Sequence, residues 1–214
     1  RTVAMSFWDR RHSRAKLERE RALDPIQFQC LDQGNPGSAE GRLYRNPFRT
    51  YVDKSEWGTF VRSGNYTDVA DEGDDFTFSA CYDVYKSGNE AWNEQKKRFE
   101  PILYALITDM VFTQENTEVT AVTVPEMINR CGTQKAWIES NNGGAGFEKL
   151  IRKKIKAISE PFYQGANKES RIITNSASVN AQIIMPLGWE ERFPKIHEHV
   201  TGFLRDFPAN EHDD

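Results

Sequence analysis

The sequence predicts an α/β fold in which an antiparallel meander of three strands joins parallel strands in one mixed sheet flanked by helices. Three stretches rich in β-branched and aromatic residues, near 60–70, 76–85 and 102–113, follow one another without a helical period between them. Beyond them, helical segments alternate with short apolar segments, a pattern typical of parallel strands joined by helices. The 214 residues, 38% of them hydrophobic, suffice for one large domain with its own core.

The first 50 residues differ from the rest, and we expect them to be a linker or the tail of a preceding domain. Ser13 is the predicted cap of a helix over 14–23, which Pro25 ends. The stretch from 25 to 49 is rich in loop signals such as Gly34-Asn35-Pro36-Gly37. Because the chain begins at Arg1 without an initiator Met, we interpret it as an excised piece whose main domain spans 51–214.

The elements of residues 51–214 follow from local patterns. The predicted strands 60–70 and 76–85 flank a tight acidic turn in which Gly73 supplies positive φ. The polar stretch 87–101 is predicted to be a long hairpin loop before the third strand. We then expect a helix over 117–130 capped by Thr117, a strand over 135–139, a helix over 147–158, a polar helix over 167–178, a strand over 181–185 and an amphipathic helix over 189–207.

Composition excludes several classes of protein. No apolar run approaches the roughly eighteen residues that a membrane-spanning helix needs. Cys30, Cys81 and Cys131 are far apart and include no CxxC pair, which indicates free thiols in a reducing compartment. Neither a GxxxxGK[ST] phosphate loop nor a GxGxxG dinucleotide motif occurs. The net charge of −4 does not by itself indicate nucleic-acid binding.

Acidic residues at three places in the chain are the candidates for chemistry. Asp68 lies near the end of the first predicted strand, where burial of a carboxylate requires a partner cation. Glu139 ends the 135–139 strand, and ligands bind at the carboxyl ends of strands in open α/β sheets. Asp213 and Asp214 follow the C-terminal helix. Each position also has an ordinary structural explanation, namely a solvated hairpin turn, a strand-to-helix turn and a solvated chain end.

Taken together, these acidic positions indicate a metal site. In a mixed sheet Asp68, Glu139 and the Asp213-Asp214 pair can converge in space, and hard oxygen ligands without cysteine suit Mg²⁺ or Mn²⁺. Two such ions, about 3.5–4 Å apart, would stabilise the attacking and the leaving oxygen of a phosphodiester. The auxiliary candidates, as further ligands or as residues that orient water, are Asp74, Asp75 and His212.

A basic run follows the Gly-rich turn after Glu139. Its members are Lys149, Arg152, Lys153, Lys154 and Lys156, and Lys168 and Arg171 extend it. One interpretation is sequence-independent contact with DNA phosphates, which makes binding sensitive to salt. The other interpretation is an ordinary solvated helix face.

Four groups of residues occur in one order along the chain: Asp68-x-Ala70-x-x-Gly73-x-Asp75, Trp137-Ile138-Glu139-Ser140-Asn141-Asn142-Gly143-Gly144, Asn167-Lys168-Glu169-x-Arg171 and Phe207-Pro208-x-x-x-His212-Asp213-Asp214. This arrangement resembles the C-terminal nuclease domain of tailed-bacteriophage large terminase subunits, which has an RNase H/integrase-like fold. The segment from Phe7-Trp8 to Asn35-Pro36-Gly37 is similar to the connection between the packaging ATPase and the nuclease of that family.

The resemblance implies a metal-dependent endonuclease that cuts concatemeric double-stranded viral DNA at the start and end of head filling. It implies Asp68 as the first ligand, Glu139 as the second and Asp213 or Asp214 as the third, with two Mg²⁺ or Mn²⁺ ions. The implied partners are the upstream ATPase domain, the portal and the small terminase subunit, in the host cytoplasm and without a membrane. We expect the domain to be truncated, because the chain ends just after His212-Asp213-Asp214.

Two other functions stay open on the sequence. A non-catalytic module of the same fold would dock on DNA or on a portal-type partner. A different RNase H-like nuclease, such as a junction resolvase, would use the same acidic residues. The segment from Phe7 to Pro36 favours the terminase over the resolvase, because it resembles a tether from an upstream motor.

Overall fold

The strands of the described residues belong to one mixed sheet. The computed structural model describes residues 42–44, 48–70, 75–93, 96–141, 144–165 and 167–204. The strands within these ranges are β1 (Thr50–Tyr51), β2 (Thr59–Asp68), β3 (Thr77–Asn93), β4 (Arg98–Thr113), β5 (Lys135–Glu139), β6 (Ile158–Phe162) and β7 (Ile183–Pro186). They pair in the order β1-β7-β4-β3-β2-β5-β6.

The predicted fold class is confirmed by the pairing of these strands. β2, β3 and β4 form the antiparallel meander. β5 lies parallel to β2, and β6 lies parallel to β5. On the other side of the meander β7 runs parallel to β4, and β1 runs parallel to β7. The sheet is therefore an antiparallel centre with parallel strands on both sides.

The hairpin between β3 and β4 is longer than the sequence predicts. The expected loop over 87–101 is wrong, because the two strands pair as far as Asn93 and Arg98. The rings of Trp92 and Phe99 face each other across this ribbon with centroids 5.3 Å apart. Glu100 accepts hydrogen bonds from Lys96 and Arg98. The cross-strand pair of Trp92 and Phe99, together with the ion pairs of Glu100, thus stabilises a polar ribbon that has no continuous apolar pattern of its own.

The first helix, α1 (Thr117–Arg130), has the predicted bounds. Its N-cap is Asn116 rather than the predicted Thr117, since the Asn116 side chain accepts a hydrogen bond from the backbone N–H of Val119 at 3.1 Å. Asparagine is a preferred residue at this position because its side-chain oxygen satisfies one of the free donors of the first turn. The helix packs its buried residues Val124, Met127 and Ile128 against the sheet.

The region after Glu139 differs from the prediction. The second helix, α2, spans Gly144–Ile151, so the predicted helix over 147–158 is wrong at both ends. The chain turns after Ile151 and enters β6, an edge strand that the sequence does not predict. Pro161 lies within β6, and proline is tolerated in an edge strand because one side of the strand has no neighbour to receive its missing N–H. The basic residues from Arg152 to Lys156 therefore lie on a connection rather than on a helix.

The C-terminal part confirms the element types but divides the last helix. The third helix, α3 (Lys168–Gln182), is capped by Asn167 and is longer than predicted. The predicted single helix over 189–207 is wrong, because α4 (Trp189–Arg192) and α5 (Pro194–Gly202) are separated at Phe193. Pro194 disfavours helical backbone at the residue before it, and Phe193 has φ −132° and ψ 59°. No helix among those described is long and apolar enough to cross a membrane.

Part of the segment predicted as a linker packs on the domain. Leu43 and Phe48 are buried, and Thr50 and Tyr51 form β1, so the predicted boundary between 50 and 51 falls within a strand. Leu43 donates its backbone N–H to the carbonyl of Phe203 at 2.8 Å. The predicted helix over 14–23 lies outside the described residues.

The sheet carries a core on each face. Consecutive residues of β3 belong to different clusters, with Cys81 packed against α1 and α2 and Ala80 packed with Trp189 of α4 and Ile196 of α5. Side chains of successive strand residues point to opposite faces, so these clusters lie on opposite sides of the sheet. Cys81 and Cys131 are free thiols, as predicted.

Candidate functional site

Asp68 and Glu139 end neighbouring parallel strands. β2 and β5 pair in register, with Tyr66 opposite Trp137 and Thr67 opposite Ile138. Asp68 is the next residue of β2, Glu139 is the next residue of β5, and each is the last of its strand. In a parallel pair, residues at the same register point to the same face. At the carboxyl ends of β2 and β5 the sheet therefore brings together two residues that the sequence predicts as ligands.

The carboxylate of Glu139 is buried and held at both oxygens. Only 8% of Glu139 is exposed. Oε2 accepts a hydrogen bond from the hydroxyl of Tyr66 at 2.9 Å, and Oε1 accepts one from Nδ2 of Asn141 at 2.8 Å. A buried charge needs such partners because water no longer solvates it. Each donor comes from a different element, Tyr66 from β2 and Asn141 from the turn after β5.

The end of β5 is tied to the end of β6. Asn141 donates from Nδ2 to the carbonyl of Gln164 at 2.7 Å and accepts from the backbone N–H of Gln164 at 3.1 Å. Ser140 donates both its backbone N–H and its hydroxyl to the carbonyl of Phe162, each at 2.8 Å. The ring of Phe162 lies 5.4 Å from the ring of Tyr66. The turn after Glu139 is therefore fixed by an edge strand that the sequence pattern does not predict.

The pKa of Tyr66 is shifted by burial and by the charges at the ends of β2 and β5. Burial raises the pKa of its hydroxyl above the ordinary value, and the negative charges of Asp68 and Glu139 raise it further. The positive charge of Arg171, on α3, acts in the opposite direction on this pKa. Tyr66 is consequently a neutral donor across the physiological pH range. Arg171 reaches the same neighbourhood, where its Nε is buried without a hydrogen-bond partner in the described part of the chain.

The remaining predicted acidic residues divide into two groups. Asp75 is exposed and lies just before β3, whose Phe78 pairs with Asp68. Asp75 therefore belongs to the same end of the sheet. Asp74, His212, Asp213 and Asp214 lie outside the described residues. The described ranges contain no group of three His, Cys, Asp or Glu side chains able to hold a metal ion.

The two carboxylates still fit a hard divalent cation. Mg²⁺ is commonly bound through one or two carboxylates, with water and substrate phosphates completing its shell. Asp68 is half-buried and Glu139 is fixed, so both supply hard oxygen atoms at a defined place. The donor set contains no thiolate that would favour a softer metal.

Comparison with solved structures finds proteins of similar fold. The nuclease domain of the human cytomegalovirus terminase, in a manganese-soaked and inhibitor-bound form, matches with a TM-score of 0.51 at 13% sequence identity. The match covers 80% of this chain and 89% of the viral domain. The chain has the fold of a terminase nuclease domain.

Two further structures with the terminase nuclease fold match less closely. Both are nuclease domains of the large terminase subunit gp2 of bacterial virus Sf6, at TM-scores of 0.46 and 0.45 and identities of 12% and 11%. Each match covers 73% of this chain, with 77% and 78% of the Sf6 chains, and the second is a mutant with manganese and beta-thujaplicinol. No protein-family model and no curated protein matches the sequence.

The basic residues occupy different positions on this terminase nuclease fold. Arg152 donates to the buried carboxylate of Glu148 at 2.8 Å, which also accepts from Ser159 at 2.5 Å. Lys154 donates its ammonium to the carbonyl of Ala121 at 2.8 Å. Both cations therefore have partners within the protein. Lys149 and Lys153 are exposed at and beyond the end of α2, and Lys168 and Arg171 lie on the first turn of α3.

Tyr66 and Asn141 belong to the site although neither is predicted from the sequence. Tyr66 lies two positions before Asp68 and Asn141 lies two positions after Glu139. Residues two apart on a strand point to the same face, so Tyr66 lies on the same face as Asp68. This spacing is visible in the sequence and could have identified Tyr66.

Proposed function

We propose that this chain is a divalent-metal-dependent DNA endonuclease of a viral packaging terminase. The observation that carries the proposal is the side-by-side position of Asp68 and Glu139 at the carboxyl ends of β2 and β5. The fold shared with the cytomegalovirus nuclease domain supports it, as does the manganese in that structure.

The proposed metal ligands are Asp68, Glu139 and Asp213 or Asp214, with Asp75, Asp74 and His212 as auxiliary residues. Two bound Mg²⁺ or Mn²⁺ ions would supply an activated water and charge stabilisation for the leaving 3′ oxygen. The chain contributes the half-buried carboxylate of Asp68 and the fixed carboxylate of Glu139 at the ends of neighbouring strands. Lys149, Lys153, Lys168 and Arg171 contact the phosphates of double-stranded DNA.

The same proposal assigns a place in genome packaging. The substrate is concatemeric viral DNA, cut in the host cytoplasm at the start and end of head filling. An ATPase domain upstream of residues 1–50 moves the DNA, and the portal and the small terminase subunit bind the complete protein. The terminase nuclease fold and the sequence resemblance support these assignments.

Nicking of supercoiled plasmid by the full chain tests the enzyme. We expect activity with Mn²⁺ or Mg²⁺, none with a chelator, and loss of activity in Asp68→Asn and in Glu139→Gln. Glu160→Gln is the matched control, because Glu160 is a half-exposed carboxylate on the adjacent strand β6. Thermal unfolding of each variant establishes that it is folded. If both site variants cut as fast as the parent, the metal assignment is wrong. If the parent itself does not cut with either metal, the chain is a docking module.

A further inference from the structure

The described residues donate two hydrogen bonds to the carboxylate of Glu139, one to each oxygen. Tyr66 donates to Oε2 and Asn141 donates to Oε1, so each oxygen accepts one bond. A carboxylate offers about four lone pairs, two on each oxygen. Within the described part of the chain, one acceptor position on each oxygen is therefore left for a cation or for water.

Both donors are themselves fixed. The amide of Asn141 pairs with the backbone of Gln164 through its oxygen and its nitrogen, and this pairing determines which end of the amide faces Glu139. Tyr66 is held by its place within β2, between two paired strands, and by the ring of Phe162 at 5.4 Å. A carboxylate held by two immobile donors loses little further conformational entropy when it binds an ion.

We propose that Tyr66 and Asn141 are positioning residues that fix the carboxylate of Glu139 for a divalent cation. The proposal rests on the proposed function, because it assumes that Glu139 is a metal ligand. Outer partners of metal ligands typically set the orientation of the ligand, and their loss weakens metal affinity by about 10–100-fold. Tyr66 and Asn141 act through Glu139 and do not themselves bind the ion.

Mn²⁺ binding to the full chain without DNA, measured by the electron paramagnetic resonance signal of free Mn²⁺, tests this role. We expect Tyr66→Phe and Asn141→Ala each to weaken Mn²⁺ binding by about 10–100-fold. Tyr51→Phe is the control for Tyr66, because its hydroxyl makes a buried bond to the carbonyl of Ile107, away from Glu139. Asn129→Ala is the control for Asn141, because its amide likewise pairs with backbone through its nitrogen and its oxygen, at Lys154 and Lys156, without contacting Glu139. Both controls should keep the affinity of the parent within about twofold.

A double-mutant cycle with Glu139 separates a positioning role from general damage to the fold. In a Glu139→Gln background, Tyr66→Phe should have no further effect on Mn²⁺ binding, because the residue through which it acts is already changed. If the parent binds Mn²⁺ and Tyr66→Phe binds it equally well, the positioning role is wrong and the proposed function stands. If the parent does not bind Mn²⁺, the proposed function fails and the positioning role fails with it.

Discussion

Gly144 shows how a single residue shapes the acidic edge of the sheet. A Cβ at this position would lie 1.9 Å from the carbonyl oxygen of Glu139. The first residue of α2 therefore touches the last residue of β5 through bare backbone. The missing side chain of Gly144 thus allows the helix to begin directly on the strand end.

We expect Gly144→Ala to lower the free energy of unfolding by about 1–3 kcal/mol, since the added methyl group displaces either Glu139 or the helix start. Urea denaturation followed by circular dichroism measures the change. Gly146→Ala in the same helix is the matched control. A Cβ there meets nothing within 4 Å, so the variant should gain about 0.5–1 kcal/mol from helix propensity. Equal stabilisation of both variants would contradict the close approach at Gly144.

Cys131 is a second residue whose chemistry depends on one neighbour. The thiol of Cys81 hydrogen-bonds to it and lowers the pKa of Cys131 to about 7, although burial acts in the opposite direction. The same interaction raises the pKa of Cys81, which is buried in the core between α1 and the sheet. Cys131 therefore loses its proton first, and Cys81 stays a thiol that donates to it.

The alkylation rate of Cys131 should rise with pH through a midpoint near 7, because the thiolate is the reactive form and it predominates above the pKa. For an ordinary cysteine the midpoint lies at about pH 8.5. Iodoacetamide labelling in a Cys30→Ser background, followed by mass spectrometry, measures the profile. Cys81→Ala should move the midpoint upward. A midpoint that stays the same in Cys81→Ala would show that the neighbouring thiol is not the cause.

At the scale of elements, one backbone carbonyl of α1 lacks its usual helical donor and accepts a hydrogen bond from another segment instead. Pro125 lies inside the helix and has no N–H, so the carbonyl of Ala121 cannot receive its usual helical hydrogen bond. Lys154, on the connection between α2 and β6, donates its ammonium to that carbonyl at 2.8 Å. This contact links two elements that the sequence does not relate to each other. It also gives Lys154 a structural role within the basic run.

Lys154→Met should lower the free energy of unfolding by about 1–3 kcal/mol, because the Ala121 carbonyl is left without a partner while the aliphatic stem is kept. The effect should fall below about 0.5 kcal/mol in a Pro125→Ala background, where the backbone N–H at position 125 supplies the missing donor. Urea denaturation of the four proteins in this cycle gives the coupling. Lys153→Met, at an exposed neighbouring position, is the control and should change stability little. If Lys154→Met lowers the free energy of unfolding equally in both backgrounds, Lys154 does not compensate for the missing N–H of Pro125.

At the scale of the whole molecule, the proposed site and the long hairpin lie at opposite ends of the sheet. Asp68 pairs with Phe78 near the start of β3, and the ribbon ends after Asn93. At roughly 3.3 Å per residue, these points are about 50 Å apart along the strand. The helix α2 begins beside Glu139 and runs back to the start of β6, so Lys149 lies nearer the site than Lys153. Both lie nearer the site than Lys96 and Arg98, which belong to the tip of the hairpin.

If DNA binds at the site end, the two groups of cations should differ in their effect on salt dependence. Replacing Lys149 and Lys153 by alanine together should reduce the slope of log affinity against log salt by about 2, or about 1 for each phosphate that is no longer neutralised. Replacing Lys96 and Arg98 by alanine should leave the slope unchanged. Fluorescence anisotropy with a labelled duplex at several salt concentrations measures both. Equal slopes for the two double variants would remove Lys149 and Lys153 from the DNA-binding surface.

Local sequence patterns predicted those elements whose causes are local. The helix Thr117–Arg130 and the strand Lys135–Glu139 have the predicted bounds, because a helical stripe and a short apolar run identify them without reference to other segments. The strand β6 escaped prediction because its exposed, proline-containing sequence is stable only as the edge neighbour of β5. The division of the last helix at Phe193 was in principle predictable, since Pro194 is visible in the sequence.

By itself, the sequence determined the fold class, the meander and the position of Glu139 at a strand end, because strand and helix periods are properties of consecutive residues. Only the tertiary structure decided that β5 lies beside β2, which places Glu139 next to Asp68 and beneath the hydroxyl of Tyr66. It also decided that Asn141 reaches Gln164 and that Lys154 reaches Ala121. These contacts join residues 23 to 73 positions apart, and no local period encodes a pairing over such distances.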